Sequence, residues 1–404
     1  MRIDAVKEAC TGCGGCITVC PTNAITMTVD EEGFEVPVIN KKKCIECGKC
    51  YKFCHAVDRK KQASEIQKAY YGRNKNANIL QMSSSGGIYY SIAQNLAQKK
   101  YWIYGAIWDN DEKCAKHASN EEYDIKEQMG SKYVQSKTWA AYNKIKEQLY
   151  KGEKILFSGT PCQVAGLKRC VGNNENLITI DFICHGVPSP KILQDRIKEL
   201  ESKHKSNMLN LKFRSKIGKW SQHKLYTEYA NKDIDIIPSS EDTFFKLFLN
   251  NYILRKSCYE CQYSNIQHEA DITIADFWKL LNYNSNENDE KGMSLILVNT
   301  KKGQELLKTV EKELNLKQLE WNEASYVYKT HNNYSKQNRK KFFDQYKKNG
   351  YRKAIKKVKI KKSIYSIIKS GINHVEYKII SKKLTKKNKS KNGDKNGKAR
   401  KEKE

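Results

Sequence analysis

Eight cysteines between positions 10 and 54 fall into two groups with the same spacing. In each group three cysteines stand at every third position, and the fourth stands four positions further on. The groups are Cys10, Cys13, Cys16, Cys20 and Cys44, Cys47, Cys50, Cys54. In runs of this kind three thiolates hold one 4Fe–4S cluster and the fourth holds the other. The spacing therefore predicts two 4Fe–4S clusters with crossed ligation, in which Cys54 completes the first set and Cys20 the second.

Two other uses of these cysteines fit the spacing less well. A structural zinc site usually takes two C-x2-C pairs separated by a longer insert, and packed C-x2-C-x2-C runs are poor frameworks for disulfides. Glycines such as Gly14 and Gly48 suit loops that bend sharply around a cluster. Iron–sulfur ligation is therefore favoured over zinc and over disulfide bonds.

Four of the six remaining cysteines form a further candidate site. Cys162 and Cys184 each follow an expected buried strand, and Cys258 and Cys261 form a lone C-x2-C pair. The ends of neighbouring strands lie side by side, so these four residues can converge on a third cluster. Thr160 and Pro161 predict a helix start that places Cys162 in a first turn, where a thiolate is favoured. On spacing alone, this reading and that of structural cysteines plus a stray pair are equally supported; Cys114 and Cys170 are interpreted as packing or surface residues.

Two glycine-containing turns suggest an anionic ligand. The run S-S-S-G-G at 83–87 precedes an expected helix, and G-S-K-Y-V-Q-S at 130–136 places a lysine in a second turn. Hydroxyls, glycines and free helix N–H groups suit a phosphate or pyrophosphate. The alternatives are a plain capped turn and a loop with a solvated lysine. Neither run is G-x-G-x-x-G, so neither predicts a Rossmann site.

The elements that position these residues predict an α+β ferredoxin-like two-cluster module, residues 1–62, followed by a mixed α/β domain, residues 63–340. Ile25–Val29 and Phe34–Ile39 are predicted to form a hairpin within the module. In the second domain, apolar patterns alternate between strands and helices, which indicates a mixed sheet covered by helices. The principal predicted helices are Gly87–Gln98, Thr138–Tyr150, Lys191–Lys203, Thr243–Leu254 and Gly303–Leu314. The principal predicted strands are Tyr101–Trp108, Lys154–Phe157, Leu177–Cys184, Leu209–Phe213, Leu225–Tyr229, Ile272–Ala275 and Leu295–Asn299.

The chain of 404 residues carries a net charge of +29, and the excess is uneven. Residues 352–404 contain 20 Lys/Arg against 4 Asp/Glu, which contributes +16 of that charge. Residues 341–404 are accordingly predicted to be a disordered or helical basic tail. Isoleucines interleaved with lysines from Ile355 to Ile368 allow a peripheral membrane contact, with a solvated tail as the favoured alternative. No nucleic-acid-binding motif accompanies the charge, so no specific nucleic acid is expected.

The compartment is predicted from the cysteines and from the start of the sequence. No apolar signal core precedes Cys10, and no apolar run is long enough to span a membrane. Thiolates kept reduced as ligands also favour the cytosol. A cytoplasmic location is therefore expected.

Residues 1–62 resemble the bacterial two-cluster ferredoxins. The eight cysteines carry the resemblance, and Pro21 follows the first group as it does in that family. His55 stands where the second proline would be. We expect this difference to affect the local turn and solvent access at the second cluster while sparing every ligand.

A broader resemblance covers roughly residues 66–340. The motifs S-S-S-G-G, G-S-K-Y-V-Q-S, G-T-P-C-Q, C-H-G-V-P-S, S-C-Y-E-C, D-I-T-I-A-D-F-W and S-L-I-L-V-N-T occur in one order. They resemble the coenzyme F420 hydrogenase/dehydrogenase beta-subunit family, which implies FAD and a 4Fe–4S cluster. The resemblance favours a third cluster on Cys162, Cys184, Cys258 and Cys261. It also implies that the flavin lies at Ser84, Ser85, Gly86, Gly87, Ser131, Lys132, Tyr133, Gln135 and Gln163. Asp276 and Trp278 lie in a matching motif without an assigned role.

These observations predict an iron–sulfur flavoprotein oxidoreductase. Electrons from a donor protein or partner subunit would pass through the clusters to FAD and on to F420 or another small-molecule acceptor. His185, beside Cys184, is the candidate proton donor. Lysines beside the second cysteine group favour an acidic donor. The alternative is a non-catalytic electron-transfer subunit that feeds a partner enzyme, for instance in surface-polysaccharide biosynthesis.

Overall fold

The fold is described from a computed structural model of the chain. The described residues are 1–57, 68–264, 268–282, 290–329, 336–358 and 376–390. Within them, no helix combines the length and apolarity needed to cross a membrane.

The N-terminal module is built around its cysteines. Strands β1 (Ile25–Val29) and β2 (Glu35–Ile39) pair antiparallel, as the hairpin prediction required. One short helix lies within each cysteine group: α1 (Gly15–Thr18) in the first and α2 (Lys49–Lys52) in the second. The small apolar core of Ile3, Val6 and Ile25 packs directly against cysteine side chains. A module with so few apolar residues has little core apart from the sites that its cysteines form.

A nine-stranded mixed sheet forms the centre of the second domain. The strands are β3 Lys68–Asn74, β4 Trp102–Asp109, β5 Cys114–Ser119, β6 Ser136–Lys137, β7 Ile155–Ser158, β8 Leu177–Phe182, β12 Ile272–Asp276, β13 Ser294–Val298 and β14 Leu314–Leu319. Their order in the sheet is β14-β3-β13-β12-β8-β7-β4-β5-β6. Strands β4, β7, β8 and β12 are mutually parallel neighbours, so their carboxyl ends share one edge. That edge places the residues after β7, β8 and β12 beside one another.

Helices cover both the sheet and the module. They are α3 Ala77–Met82, α4 Ile88–Gln98, α5 Trp139–Tyr150, α6 Pro161–Val171, α7 Pro190–His204, α8 Thr243–Leu249, α9 Lys301–Val310, α10 Trp321–Ala324 and α11 Lys336–Lys357. The predicted helix Thr243–Leu254 ends five residues early, and Gly303–Leu314 ends at Val310 because Leu314 begins an edge strand. Helix α6 contacts the module closely. A Cβ atom added at Gly166 would lie 2.8 Å from Cys13 Sγ, so this helix approaches the first cysteine loop without room for a side chain.

A separate antiparallel sheet of three strands was not predicted as such. Its strands are β9 Met208–Lys212, β10 Lys224–Tyr229 and β11 Ile234–Pro238, with β10 in the centre. Residues 376–390 are helical and lie along β11. The hydroxyls of Ser381 and Thr385 accept hydrogen bonds from the Ile236 and Ile234 N–H groups, so part of the basic tail covers this sheet edge.

The predicted boundary between domain and tail at 340/341 falls inside α11. Phe342, Phe343 and Tyr346 are buried in the main core, and Arg339 pairs with Glu32 of the module. The tail was predicted from its many lysines, and these aromatic residues, whose spacing along α11 places them against the core, were overlooked. Residues 341–357 and 376–390 therefore belong to the fold. The proposed membrane segment lies mostly at 359–375, and the end of the tail at 391–404, outside the described residues.

Candidate functional site

Two cavities in the module gather the eight cysteines in the crossed arrangement. The first is lined by Cys10, Cys13, Cys16 and Cys54. The second is lined by Cys44, Cys47, Cys50 and Cys20. Each cavity thus receives three cysteines from one group and the fourth from the other. This geometry fits a 4Fe–4S cube in each cavity, with the ligand sets that the spacing predicts.

The electrostatics of these thiols also suit a cationic metal cluster. Burial raises the pKa of Cys13, Cys16 and Cys54, so their thiolates need compensating positive charge. Burial opposes ionisation of Cys20 too, but N–H groups of Ala24 and Thr22 outweigh it and lower its pKa. The Ala24 N–H lies 3.3 Å from Cys20 Sγ.

His55 belongs to the first cavity, and our expectation that it affects the second was wrong. It follows Cys54, and crossed ligation carries Cys54 into the first cavity. The ring is 2% exposed and pairs with Thr11 Oγ1 at 3.0 Å and with Tyr263 Oη at 2.9 Å. Tyr263 lies two residues after Cys261, so His55 connects the first cavity to the next cysteine set.

The second domain brings Cys162, Cys184, Cys258 and Cys261 together. Cys162 follows β7 in the first turn of α6, and Cys184 follows the adjacent strand β8. Burial raises the pKa of Cys184 well above its usual value, and repulsion from the other three thiolates adds to it. Thr160 Oγ1 lies 3.2 Å from Cys162 Sγ, and the Val187 N–H donates to Cys258 Sγ at 3.4 Å. These groups resemble the polar surroundings of a thiolate-held cluster.

In the described part of the chain, no three or more His, Cys, Asp or Glu side chains lie close enough to hold a single metal ion. A 4Fe–4S cube takes each cysteine sulfur on a different iron, so its ligands lie further apart than those of one ion.

Arg255 links the N-terminal module to the four cysteines of the α/β domain. It is 4% exposed, and its guanidinium donates to Gln135 Oε1 and to the Cys10 carbonyl, both at 3.0 Å, and also to the Glu35 carbonyl. Its positive charge lowers the pKa of Cys162 and Cys258, although burial dominates both and raises them. Sequence reasoning missed Arg255, because nothing in R-K-S-C indicates a partner 245 residues away.

The residues assigned to the flavin by resemblance separate into three places. Gln135 is committed to the junction, where its amide donates to the Thr11 and Gly12 carbonyls at 3.3 and 3.2 Å. Gln163 closes the capping box of α6 with Thr160. Both side chains therefore have structural partners. The remaining seven residues lie in the two glycine-containing turns, whose geometry is more consistent with a ligand site.

The two turns meet through their serines. Ser84 Oγ accepts a hydrogen bond from the Ser131 N–H at 2.7 Å and lies 3.0 Å from Ser131 Oγ. Gly86 and Gly87 lead into α4, and the Gly86 N–H donates to Ser294 Oγ on β13. Ser85 Oγ donates to the Met293 carbonyl. The turns are thus fixed to the sheet and present two hydroxyls side by side.

Lys132 and Tyr133 line the same region with opposite character. Lys132 Nζ donates to the Glu127 and Met129 carbonyls at 2.6 and 2.8 Å, and burial lowers its pKa to about 7. Tyr133 packs among Phe213, Phe245 and Phe248. It also interacts electrostatically with Arg214, whose Nη1 donates to Asp276 Oδ2 at 2.6 Å. The unassigned D-F-W motif therefore reaches the predicted cofactor turns through Arg214.

His185 lies between the cysteine set and this region. Its ring meets Phe248 edge-on, with 5.0 Å between centroids, and Phe248 in turn contacts Tyr133. Burial lowers the pKa of His185, while contacts with Asn251 and the Phe248 backbone oppose that shift. A role in proton transfer stays a prediction.

These features define an iron–sulfur protein with a two-cluster module docked on a mixed α/β domain. Residues 9–57 match the 4Fe–4S dicluster domain, and residues 152–322 match the family described as the C terminus of the coenzyme F420 hydrogenase/dehydrogenase beta subunit. These matches confirm the resemblance to that family seen in the motifs.

Individual relatives are more distant. The chain is 27% identical over 338 residues to a coenzyme F420-dependent sulfite reductase of Methanocaldococcus jannaschii, covering 77% of this chain and 48% of that protein. The chain thus spans about half the length of this relative. An uncharacterized protein of the same organism is 23% identical over 333 residues, covering 74% of this chain and 86% of that protein.

A solved chain from the F420-reducing NiFe hydrogenase complex of Methanosarcina barkeri has a TM-score of 0.46 and 15% identity. The similarity covers 71% of this chain and 94% of that one. The family matches make the chain an iron–sulfur protein related to F420-dependent oxidoreductases.

Crossed ligation gives a direct test of the two cavities. We expect Cys54→Ser to impair the cluster of the first cavity although Cys54 belongs to the second sequence group, and Cys20→Ser to impair that of the second. Each variant should lose about four irons per chain or show a converted cluster. Low-temperature EPR of the reduced protein, compared with Cys13→Ser and Cys47→Ser, identifies the affected cluster. If Cys54→Ser matched Cys47→Ser instead of Cys13→Ser, ligation would not be crossed.

Proposed function

We propose that the chain is an iron–sulfur flavoprotein oxidoreductase. It takes electrons from a donor protein, passes them through 4Fe–4S clusters to FAD, and transfers them to F420 or another small-molecule acceptor. One observation carries this proposal: contacts run without a break from the first cavity, through His55 and Tyr263, to the four cysteines around Cys162, and on through His185 and Phe248 to Tyr133.

Different residues along this path would bind the different cofactors. Cys162, Cys184, Cys258 and Cys261 would hold a third cluster, and Ser84, Ser131, Lys132 and Tyr133 would bind FAD. When bound, FAD exchanges electrons singly with clusters and in pairs with an organic acceptor. The aromatic cluster around Tyr133 excludes water from one side of this region, and the paired serines offer hydroxyls to polar parts of the cofactor.

The surface around the second cavity supports entry of electrons from a protein. Cys47 is exposed, and Ile45, which also lines the second cavity, is 63% exposed. Five exposed lysines lie in the same stretch of sequence: Lys41, Lys42, Lys43, Lys49 and Lys52. An apolar centre with a basic rim fits a donor protein with an acidic surface.

A second candidate function is that of an electron-transfer subunit without its own substrate. The half-length coverage of the sulfite reductase relative favours it, because that protein contains a further region that this chain does not match. In this case the chain would deliver electrons to a partner enzyme. Turnover of a small-molecule acceptor by the purified chain alone separates the two candidates.

Anaerobic purification with iron, sulfide and flavin quantified tests the proposal. We expect about twelve irons and about one FAD per chain, because three 4Fe–4S sites and one flavin site are proposed. Reduction of bound flavin by a low-potential electron donor should follow reduction of the clusters. Protein that retains all its iron but binds no flavin under any reconstitution condition would contradict the flavoprotein assignment.

The pH dependence of flavin binding tests Lys132. Its pKa near 7 in the folded protein, against an ordinary value of 10.5, means that its charge is lost as pH rises through about 7. If Lys132 binds the anionic part of FAD, affinity should fall about tenfold between about pH 6 and pH 8.5, equivalent to one pKa unit. Lys132→Arg should flatten this dependence, because arginine stays charged. Equal pH profiles for wild type and Lys132→Arg, measured by flavin fluorescence, would remove Lys132 from the anion site.

A further inference from the structure

Five buried polar atoms without a hydrogen-bond partner among the described residues lie together. They are found where the segment between β9 and β10 meets the end of β12. The atoms are Arg214 Nε, Arg214 Nη2, Trp220 Nε1, His223 Nε2 and Asp276 Oδ1. A buried donor or acceptor that stays unpaired costs about 1–3 kcal/mol, so native proteins rarely gather several. The concentration in one place points to a missing ligand.

The four side chains are held around Trp278. Arg214 lies over the Trp278 ring with its guanidinium carbon 5.3 Å from the ring centroid. Trp220 stacks on Trp278 with centroids 4.7 Å apart and planes 11° apart, and the His223 ring is 5.5 Å away. The side chain of Arg214 is 5% exposed and that of Asp276 is 16% exposed. The site is therefore built from several elements and shielded from solvent.

The charges in this site largely cancel. Among these four side chains, Arg214 Nη1 already donates to Asp276 Oδ2 at 2.6 Å, which pairs their cation with their carboxylate. Burial and the Arg214 charge lower the pKa of His223 to about 3, so its ring is neutral near pH 7. A phosphate or carboxylate would face Asp276 as well as Arg214. The remaining groups offer donors from the guanidinium and the indole, and an acceptor from Asp276 Oδ1.

A planar heterocycle with two carbonyls on either side of a ring N–H matches this set. The carbonyls accept from Arg214 and Trp220, and the N–H donates to Asp276. Flavins and deazaflavins share this edge, which is the uracil-like end of their ring systems. The location agrees, because Arg214 interacts with Tyr133, and Tyr133 interacts with Ser131 of the predicted cofactor turns.

We propose that Arg214, Trp220 and Asp276 recognise the uracil-like edge of a flavin or deazaflavin ring. The inference rests on the proposed function, since it assumes that such a ring binds the chain. It adds a specificity site to the turns named from the sequence. It also gives a role to Asp276 of the D-F-W motif, whose Trp278 supports the surrounding groups.

A ligand lacking the ring N–H provides the test. Full-length protein with its clusters intact and its flavin removed is titrated anaerobically with FAD and with an N3-methylated FAD, followed by quenching of flavin fluorescence. We expect methylation to weaken binding to the wild type at least about tenfold, because a hydrogen bond to a carboxylate is lost. In Asp276→Asn the penalty should fall to about twofold or less, since an amide facing the ring no longer prefers the N–H.

Two further variants control for folding and for the donor groups. Trp220→Phe keeps the stacked ring but removes the indole N–H, and should weaken FAD binding about threefold to tenfold. Trp102→Phe replaces a partly buried tryptophan of another core and should bind like wild type. Iron content and circular dichroism of each variant identify any that fail to fold; Asp276→Ala then replaces Asp276→Asn.

The same titrations with F420 and its N3-methylated form show whether the uracil-like edge recognised here belongs to FAD or to F420. A methylation penalty with FAD assigns the site to the cofactor, and a penalty with F420 alone assigns it to the acceptor; both outcomes support the proposal. Wild type that binds FAD, F420 or both but shows a methylation penalty with neither, or an Asp276→Asn variant that keeps the full penalty, overturns it. Wild type that binds neither ring system contradicts the proposed function itself.

Discussion

Serine in place of Cys258 should remove one iron–sulfur cluster and leave two. Cys258 lies with Cys162, Cys184 and Cys261, and the four residues are partly buried and close enough to oppose one another's ionisation. A serine hydroxyl is a poor substitute for a thiolate at a buried iron. We expect the iron content to fall by about four per chain while both clusters of the N-terminal module persist. Iron and sulfide analysis with EPR of the reduced protein measures both quantities.

Cys114→Ser provides the matched control. Cys114 is buried, but it begins β5 and its Sγ donates to Glu112 Oε2 at 3.4 Å. This variant should keep its full iron content. If Cys258→Ser also retained full iron, the four cysteines would be structural, and the path from the module to Tyr133 would lack a cluster in its middle. Cys184→Ala gives an independent reading if the serine variant folds poorly.

Local sequence patterns were sufficient to predict which cysteines of each site lie together. The crossed cavities were predicted from cysteine spacing alone, because in runs of this kind the fourth cysteine holds the other cluster. The meeting of Cys162 and Cys184 follows from their positions after β7 and β8, which are adjacent parallel strands. In both places a short-range pattern determines a short-range geometry.

Such local patterns could not predict contacts between residues that are far apart in sequence. Gln135 was grouped with the flavin residues because it follows Lys132 and Tyr133, yet its amide lies against Thr11 and Gly12. The residues of α11 appeared to begin a basic tail because lysines outnumber the aromatic residues that pack on the core. Arg214 and Arg255 carry no local signal, since each acquires its partners only through the tertiary fold.

Replacing Arg255 should loosen the module and change a cluster potential, and two substitutions separate these effects. Arg255 makes three hydrogen bonds across the junction, including one to the Cys10 carbonyl at 3.0 Å and one to Gln135. Arg255→Met removes all three and leaves buried acceptors unpaired, at a cost of about 1–3 kcal/mol for each. Arg255→Lys keeps the charge but cannot reproduce a planar fork with three partners.

We therefore expect both variants to release the module more readily, seen as faster limited proteolysis and faster loss of iron on warming. Only Arg255→Met should shift a reduction potential. The Arg255 charge lowers the pKa of Cys162 and Cys258, and by the same attraction it favours the more negative reduced cluster. Losing about 1 kcal/mol of such attraction lowers a one-electron potential by about 40 mV.

Redox titration followed by EPR measures this shift, and Lys256→Met is the control. Lys256 is adjacent in sequence, but its partner Glu8 is at the surface and 73% exposed. An exposed pair of this kind contributes little and is screened by solvent, so neither iron retention nor potential should change. Equal potentials in wild type and Arg255→Met would limit Arg255 to holding the module in place. A shift in Arg255→Met that Arg255→Lys does not reproduce would mean that the buried cation tunes electron flow between the module and the α/β domain.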